Sequence, residues 1–218
     1  MLSSSVEIWI LPTHSKNKAV APAEFFCGES LLQEVVELGQ SVGGAIALGG
    51  SFSRMFRGWF ADPMGNKLYV VVKLPHRDRN ILREKDIYAT LQEEAKKKPG
   101  EVSTGCVFMF PSSDEYLAVE DFGSDIRKYF DPESTILLSN LKKLIGVVKS
   151  FHDLGYAHCD LKPANILIKE VRSGVFEFKL CDLDSATRIG EEFPQLGKFT
   201  LAWVSPEMYF HRYPSIFF

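Results

Sequence analysis

The chain has 218 residues, 45% of them hydrophobic, and a formal net charge of −3 from 25 Lys/Arg against 28 Asp/Glu. That length is enough for one domain or two small ones with a proper core, and charges of both signs are interspersed, so nothing points to a general nucleic-acid or membrane surface. The four cysteines, Cys27, Cys106, Cys159 and Cys181, have no short paired spacing; this argues against a zinc ribbon or a redox pair and fits a reducing intracellular, cytoplasmic setting.

The amino terminus, "MLSSSVEIWILPTHSKNKAV", has no basic residue ahead of its apolar part and is interrupted by Pro12, so it makes a poor signal peptide. Residues 1–42 read as an extension without legible function, in which "LLQEVVELGQ" at 31–40 predicts a short helix ended by Gly39. "VGGAIALGG" is too short and glycine-rich to span a bilayer, and the chain reads as soluble. "RGWFADPMGNKLYVVVKL" predicts two antiparallel strands around a Pro/Gly/Asn turn. Ile81, Ile87, Tyr88, Leu91 and Ala95 then fall at helical spacing before a lysine-rich end and Pro99-Gly100.

"GCVFMF" and "EYLAVEDFG" predict two further strands. Leu137, Leu141, Leu144, Ile145, Val148 and Phe151 form a stripe closed by Gly155, which predicts a long helix over 134–155. "NILIKE" and "FEFKLCDLD" predict two short strands around "VRSG", and a long loop follows to Glu207. There is no internal repeat and no low-complexity segment.

Between the long helix and those strands lies "HCDLKPANIL". Asp160 can accept a proton, Lys162 can offset anionic oxygens, and Asn165 can offer an amide oxygen to a metal, with Pro163 stiffening the loop. The set suits phosphoryl transfer, where catalysis is positioning and charge neutralisation. On its own the run could equally be a polar turn before a strand.

The run resembles the catalytic loop of protein kinases, His-Arg-Asp-Leu-Lys-Pro-x-Asn, with Cys159 in place of the arginine. By that resemblance Asp160 is the catalytic base, Lys162 contacts the transferred phosphate and Asn165 is a magnesium ligand; a lysine at 162 is similar to serine/threonine kinases. "KLCDLDSAT" puts Asp182 where the family uses an aspartate to hold magnesium, followed by Leu183 and Asp184 in place of Phe-Gly. "YVVVKL" resembles the Val-Ala-Ile-Lys strand; strand alternation puts Val71 and Lys73 on one face, and the resemblance gives Lys73 to the phosphates and Val71 to the adenine. Glu84 shares the apolar face of its helix, where a carboxylate needs a partner, and Lys73 is the natural one.

"ALGGSFSRMFRG" is similar to the glycine loop only at Gly50, Phe52 and Met55, with Ser53 at the third glycine position, which predicts weaker nucleotide binding than in a typical member. "LAVEDFG" resembles the hinge, with Val119 at the back of the pocket and the main chain of Glu120 and Phe122 at the adenine edge. "FTLAWVSPEMY" resembles the end of the activation segment, with Thr200 bracing the base and lysine, and "SPE" at 205–207 matching Ala-Pro-Glu.

The resemblance covers about 43–210. It implies an α+β, protein-kinase-like bilobal fold over 43–218, with an antiparallel β lobe and one main helix at 43–120 and an incomplete, mostly helical large lobe at 121–218. It implies a serine/threonine protein kinase using ATP and Mg2+ on a protein hydroxyl. A pseudokinase-like binding module is the alternative, favoured by the irregular glycine loop and Asp184; a small-molecule kinase is a further one, opposed by Thr200, "SPE" and "VVVKL". Cys159 removes the arginine that pairs with a phosphorylated activation loop. Only eleven residues follow Glu207, so the expectation is a chain truncated after that motif, with apolar helix surface left in water and ATP binding weakened.

Overall fold

The computed structural model describes residues 25–38, 54–75, 81–97, 103–129, 138–191 and 200–206. The chain falls into two compact units, Met1–Lys85 with Phe108–Asp121, and Asp86–Val107 with Phe122–Phe218.

In the first unit, β1 (Phe26–Cys27) and β2 (Ser30–Leu31) form a small hairpin, followed by β3 (Gln33–Leu38), β4 (Arg54–Ala61) and β5 (Lys67–Leu74). Helix α1 (Leu82–Lys97) begins in this unit, which also holds β6 (Met109–Phe110) and β7 (Leu117–Glu120). The main sheet has the order β3-β4-β5-β7-β6 and every pairing is antiparallel. The β4–β5 hairpin is the expected one. Its turn is built on Asp62, whose Oδ1 accepts from the N–H groups of Met64 and Asn66 at 2.8 Å each, with Gly65 at φ +85°.

The helix expected at 31–40 is not formed, since 33–38 is strand β3 paired with β4. β3 lies ahead of residue 43, where the sequence starts the domain. Phe25, Cys27, Leu31, Leu32 and Val35 are buried with Phe56, Val70, Val72, Tyr116 and Ala118 in the core of this unit. The Phe25 ring lies 5.0 Å from that of Phe56 and 5.1 Å, edge-on, from that of Tyr116. Tyr116 closes the arrangement: its hydroxyl donates to Phe26 O at 2.9 Å and accepts from Phe26 N–H at 2.5 Å.

The second unit contains β8 (Ser124–Asp125), α2 (Leu138–Asp153), β9 (Tyr156–Ala157), β10 (Ile166–Arg172), β11 (Val175–Leu180) and β12 (Thr187–Arg188). Sheets of order β11-β10-β8 and β12-β9 carry it, with 3-10 turns at Ile126–Tyr129, Pro163–Asn165, Leu183–Ser185 and Leu201–Trp203. Gly155, at φ +83°, ends α2 by donating its N–H to His152 O. Leu144 and Val147 pack against Ile126, Ile168 and Phe178, and Asn140 and Phe151 are buried too. The inward stripe is thus 140, 144, 147 and 151. Leu141 and Ile145, counted with the stripe from the sequence, are exposed, Ile145 at 67%. None of the four cysteines is in a disulfide; burial pushes the Cys27 thiol up to about 12 and raises that of Cys106 as well, which makes both poor nucleophiles. Among the described residues no helix is long and apolar enough to cross a membrane.

Candidate active site

In the first unit the polar groups of interest gather at one end of β5. β5 alternates, so Val71 and Lys73 share a face, and the register sets Lys73 opposite Met55 and Leu117, and Val71 opposite Arg57 and Val119. Lys73 Nζ donates to Glu84 Oε2 at 2.8 Å, from the β5 end to the first turn of α1. Glu84 is only 3% exposed, so this carboxylate needs its cation. Both sequence-predicted partners therefore meet. Arg57 Nε is held 2.6 Å from Asp121 Oδ2 at the end of β7.

In the second unit the β10–β11 hairpin sets the geometry. Ile166 pairs with Leu180, so the hairpin's open end brings Asn165 opposite Cys181, and Cys181 N–H donates to Asn165 O at 3.0 Å. His158 adds a second tie: its Nε2 lies 3.0 Å from Cys181 O, and its Nδ1 lies 3.4 Å from Asp160 N. A neutral ring with Nε2–H donating and Nδ1 accepting satisfies both. Burial, the dominant cause, holds the His158 pKa below its ordinary 6.5, which favours that neutral form. His158 was part of the quoted motif, but its tie to Cys181 was not legible without the fold.

The Asp160 carboxylate is nearly enclosed. Oδ1 accepts from Thr200 N–H at 2.9 Å; Oδ2 accepts from Lys162 Nζ at 2.5 Å and from Asn165 Nδ2 at 3.2 Å. Lys162 Nζ also donates to Thr200 Oγ1 at 2.8 Å. Asp160, Lys162, Asn165 and Thr200 thus form one cluster, although Thr200 lies far along the chain. Each carboxylate oxygen has two lone pairs, so Oδ1 keeps one acceptor position while Oδ2 is saturated.

Asn165 is 3% exposed and donates both amide protons toward Asp160, to its main-chain O at 2.9 Å and to Oδ2. Its Oδ1 accepts no hydrogen bond from the described residues, which suits a hard cation that takes oxygen donors. Asp182 stands at the adjoining end of the hairpin in the left-handed conformation, φ 63° and ψ 70°. These two residues offer the donor set for Mg2+; no cluster of three or more His, Cys, Asp or Glu among the described residues forms a fuller cage. Mg2+ commonly takes one or two protein ligands and completes its shell with phosphates and water, so the donor set fits.

Leu183 is fully buried. Asp184, which replaces a glycine, lies in the 3-10 turn at negative φ, so the chain meets its need for positive φ at Asp182 instead. Phe122 is buried under the ammonium groups of Lys179 and Lys169, 4.7 and 5.9 Å from its ring centroid, and its main-chain N–H donates to no described residue. Glu120 N–H donates to Phe108 O at 2.8 Å. Gly50 and Glu207 lie outside the described residues, as do Phe52 and Ser53.

The first unit thus carries a lysine–glutamate pair on an antiparallel sheet, and the second gathers Asp160, Lys162 and Asn165, with Asp182 at the adjoining hairpin end. The family model for the protein kinase domain matches residues 107–215, and the chain belongs to the protein kinase family. It is similar to serine/threonine-protein kinase dkf-1 of Caenorhabditis elegans, 38% identical over 69 residues, which are 31% of this chain and 10% of that protein. A longer match, 32% identical over 139 residues, is to MAP kinase-interacting serine/threonine-protein kinase mnk-1 of the same nematode, covering 61% of this chain and 18% of that one. Nucleosomal histone kinase 1 of Drosophila melanogaster is 27% identical over 136 residues, 58% of this chain and 22% of the relative. The chain therefore spans less than a quarter of each of these relatives.

Proposed function

We propose that this chain carries the catalytic residues of an ATP-dependent protein serine/threonine kinase. The observation that carries the reading is the Asp160–Lys162–Thr200 cluster, in which a buried carboxylate keeps a single acceptor position, on Oδ1, beside a fixed ammonium. Asp160 Oδ1 takes the proton of a serine or threonine hydroxyl as that oxygen forms its bond to the γ-phosphorus and the bond to the β-phosphate oxygen breaks. Lys162 offsets charge on the transferred group while its second hydrogen bond, to Thr200, keeps it from collapsing fully onto Asp160.

Lys73, oriented by Glu84, serves the ATP phosphates, and Val71 and Val119 offer the adenine an apolar surface, with the main chain of Glu120 and Phe122 at its edge. Gly50 belongs to the proposed phosphate loop. Asn165 and Asp182 would hold Mg2+, which when bound neutralises phosphate charge. The kinase domain is proposed to extend upstream of 43 to include β3, and the protein to act inside the cell.

The test is transfer of labelled γ-phosphate from ATP, with Mg2+, to casein or mixed histones. Asp160→Asn is expected to lower the rate by a factor of about 10² or more. Transfer at the unmutated rate in that variant rejects Asp160 as the base.

A further inference from the structure

The first turn of α1 holds two adjacent charged residues that bond other parts of the first unit, Glu84 and Lys85, and the second has been given no role in the site. Lys85 follows Glu84 and its ammonium is turned inward, with the side chain only 13% exposed. Its Nζ donates to Ser113 O at 2.7 Å and to Ser112 O at 3.1 Å, both in the turn between β6 and β7. Asp114 lies 3.8 Å away on a largely exposed carboxylate, too screened to be the reason for this placement. The turn is itself firm: Ser112 Oγ donates to Tyr116 O, and Tyr116 N–H to Ser113 O.

The turn leads into β7, and Leu117 of β7 pairs with Lys73 of β5. The contacts therefore close a ring, from Glu84 to Lys73, across the ladder to Leu117, back through Tyr116 and the turn, and through Lys85 to the neighbour of Glu84. Successive residues on a helix project about 100° apart. The two side chains accordingly leave the first turn of α1 in different directions, and a shift of that turn that withdraws Glu84 must also break the bonds of Lys85.

We infer that Lys85 is a positioning residue, which fixes the first turn of α1 and thereby keeps Glu84 on Lys73. Its consequence for catalysis rests on the kinase reading above, in which Lys73 serves the phosphates; the mechanical claim does not. The ring lies wholly in the first unit and contains no group from the Asp160 cluster.

The experiment is competitive acetylation of lysines in the folded 218-residue chain, with the rate at Lys73 read by mass spectrometry. The neutral amine is the reactive form, and losing a carboxylate neighbour enlarges that fraction, so Lys85→Met is expected to raise the Lys73 rate about fivefold. Glu84→Gln should do the same, Lys85→Arg should keep the protection, and exposed Lys149 should react at one rate throughout. If Lys85→Met does not fold, Lys85→Gln is judged by the same criterion. An unchanged Lys73 rate in the folded Lys85 variant, an equal rise in Lys85→Arg, or no rise in Glu84→Gln overturns the inference. The readout needs no turnover, so a chain that transfers no phosphate would reject the kinase reading and still decide this one.

Discussion

The main-chain N–H of Thr200 holds Asp160 Oδ1 at 2.9 Å, while the Thr200 hydroxyl accepts from Lys162 Nζ at 2.8 Å. One residue thus fixes the carboxylate with its backbone and the ammonium with its side chain. Thr200→Val keeps the first contact and removes the second, leaving Lys162 to pair with Asp160 alone. The expected result is a fall in kcat of about tenfold, equivalent to ~1.4 kcal/mol, with the urea midpoint nearly unchanged; Thr200→Ser should restore the rate. An unaltered kcat in the valine variant would remove the hydroxyl from the mechanism.

His158 gives the fold a pH dependence. Its pKa in the folded chain lies below 6.5, chiefly through burial, so below pH 6.5 the unfolded state binds a proton that the folded state resists. Stability from this site is complete above that pH and declines as pH falls, with a slope approaching ~1.4 kcal/mol per pH unit. Urea unfolding between pH 7.5 and 5 should therefore show a shallower decline in His158→Asn than in the parent chain.

Phe25 tests whether the amino-terminal segment belongs to the core. Its side chain is buried between Phe56 and Tyr116, so Phe25→Ala is expected to cost about 3 kcal/mol through lost burial and a residual cavity. Denaturant titration measures this directly; a cost below about 0.5 kcal/mol, the range of surface substitutions, would return the segment to the role of an appendage.

Two glycines separate backbone strain from crowding. Gly105 and Gly174 have similar φ, +69° and +71°, but a Cβ on Gly105 would meet Val147 O at 2.6 Å, whereas one on Gly174 meets nothing within 4 Å. Gly174→Ala should cost about 1 kcal/mol from the left-handed conformation alone. Gly105→Ala should cost clearly more, because the neighbour is helix backbone that cannot swing away. Equal losses in thermal or urea unfolding would contradict the close approach.

The residues proposed for the site could be singled out because they sit in one short run or at the ends of regular elements. Asp160, Lys162 and Asn165 are within six positions of each other, and Lys73 closes a strand whose alternation is clear. β3 was not legible. Leu32, Val35 and Val36 fall at helical spacing, and a bulge with Glu34 at φ +50° breaks the alternation that would have marked a strand. The stripe on α2 was read rightly at Leu144 and Phe151 and wrongly at Leu141 and Ile145 for a related reason: its apolar residues cover more of the circumference than its neighbours bury, and polar Asn140 faces inward while Ile145 faces out. The grip of Lys85 left no sequence signal, since a lysine in a first helical turn gives no hint of two distant carbonyl groups.

The pairing of Ile166 with Leu180 constrains how this hairpin can evolve. Adding or removing one residue near its open end would invert the faces of one strand, exposing Phe178 and Leu180 and sliding Asp182 away from Asn165. Its far end is under no such demand: a register irregularity is already present between Glu170 and Arg172, and Gly174 has open space around it. Length variation should accordingly collect at the tip, so that the hairpin works as a fixed-gauge spacer whose end at Asn165 and Asp182 stays constant while its outer end drifts.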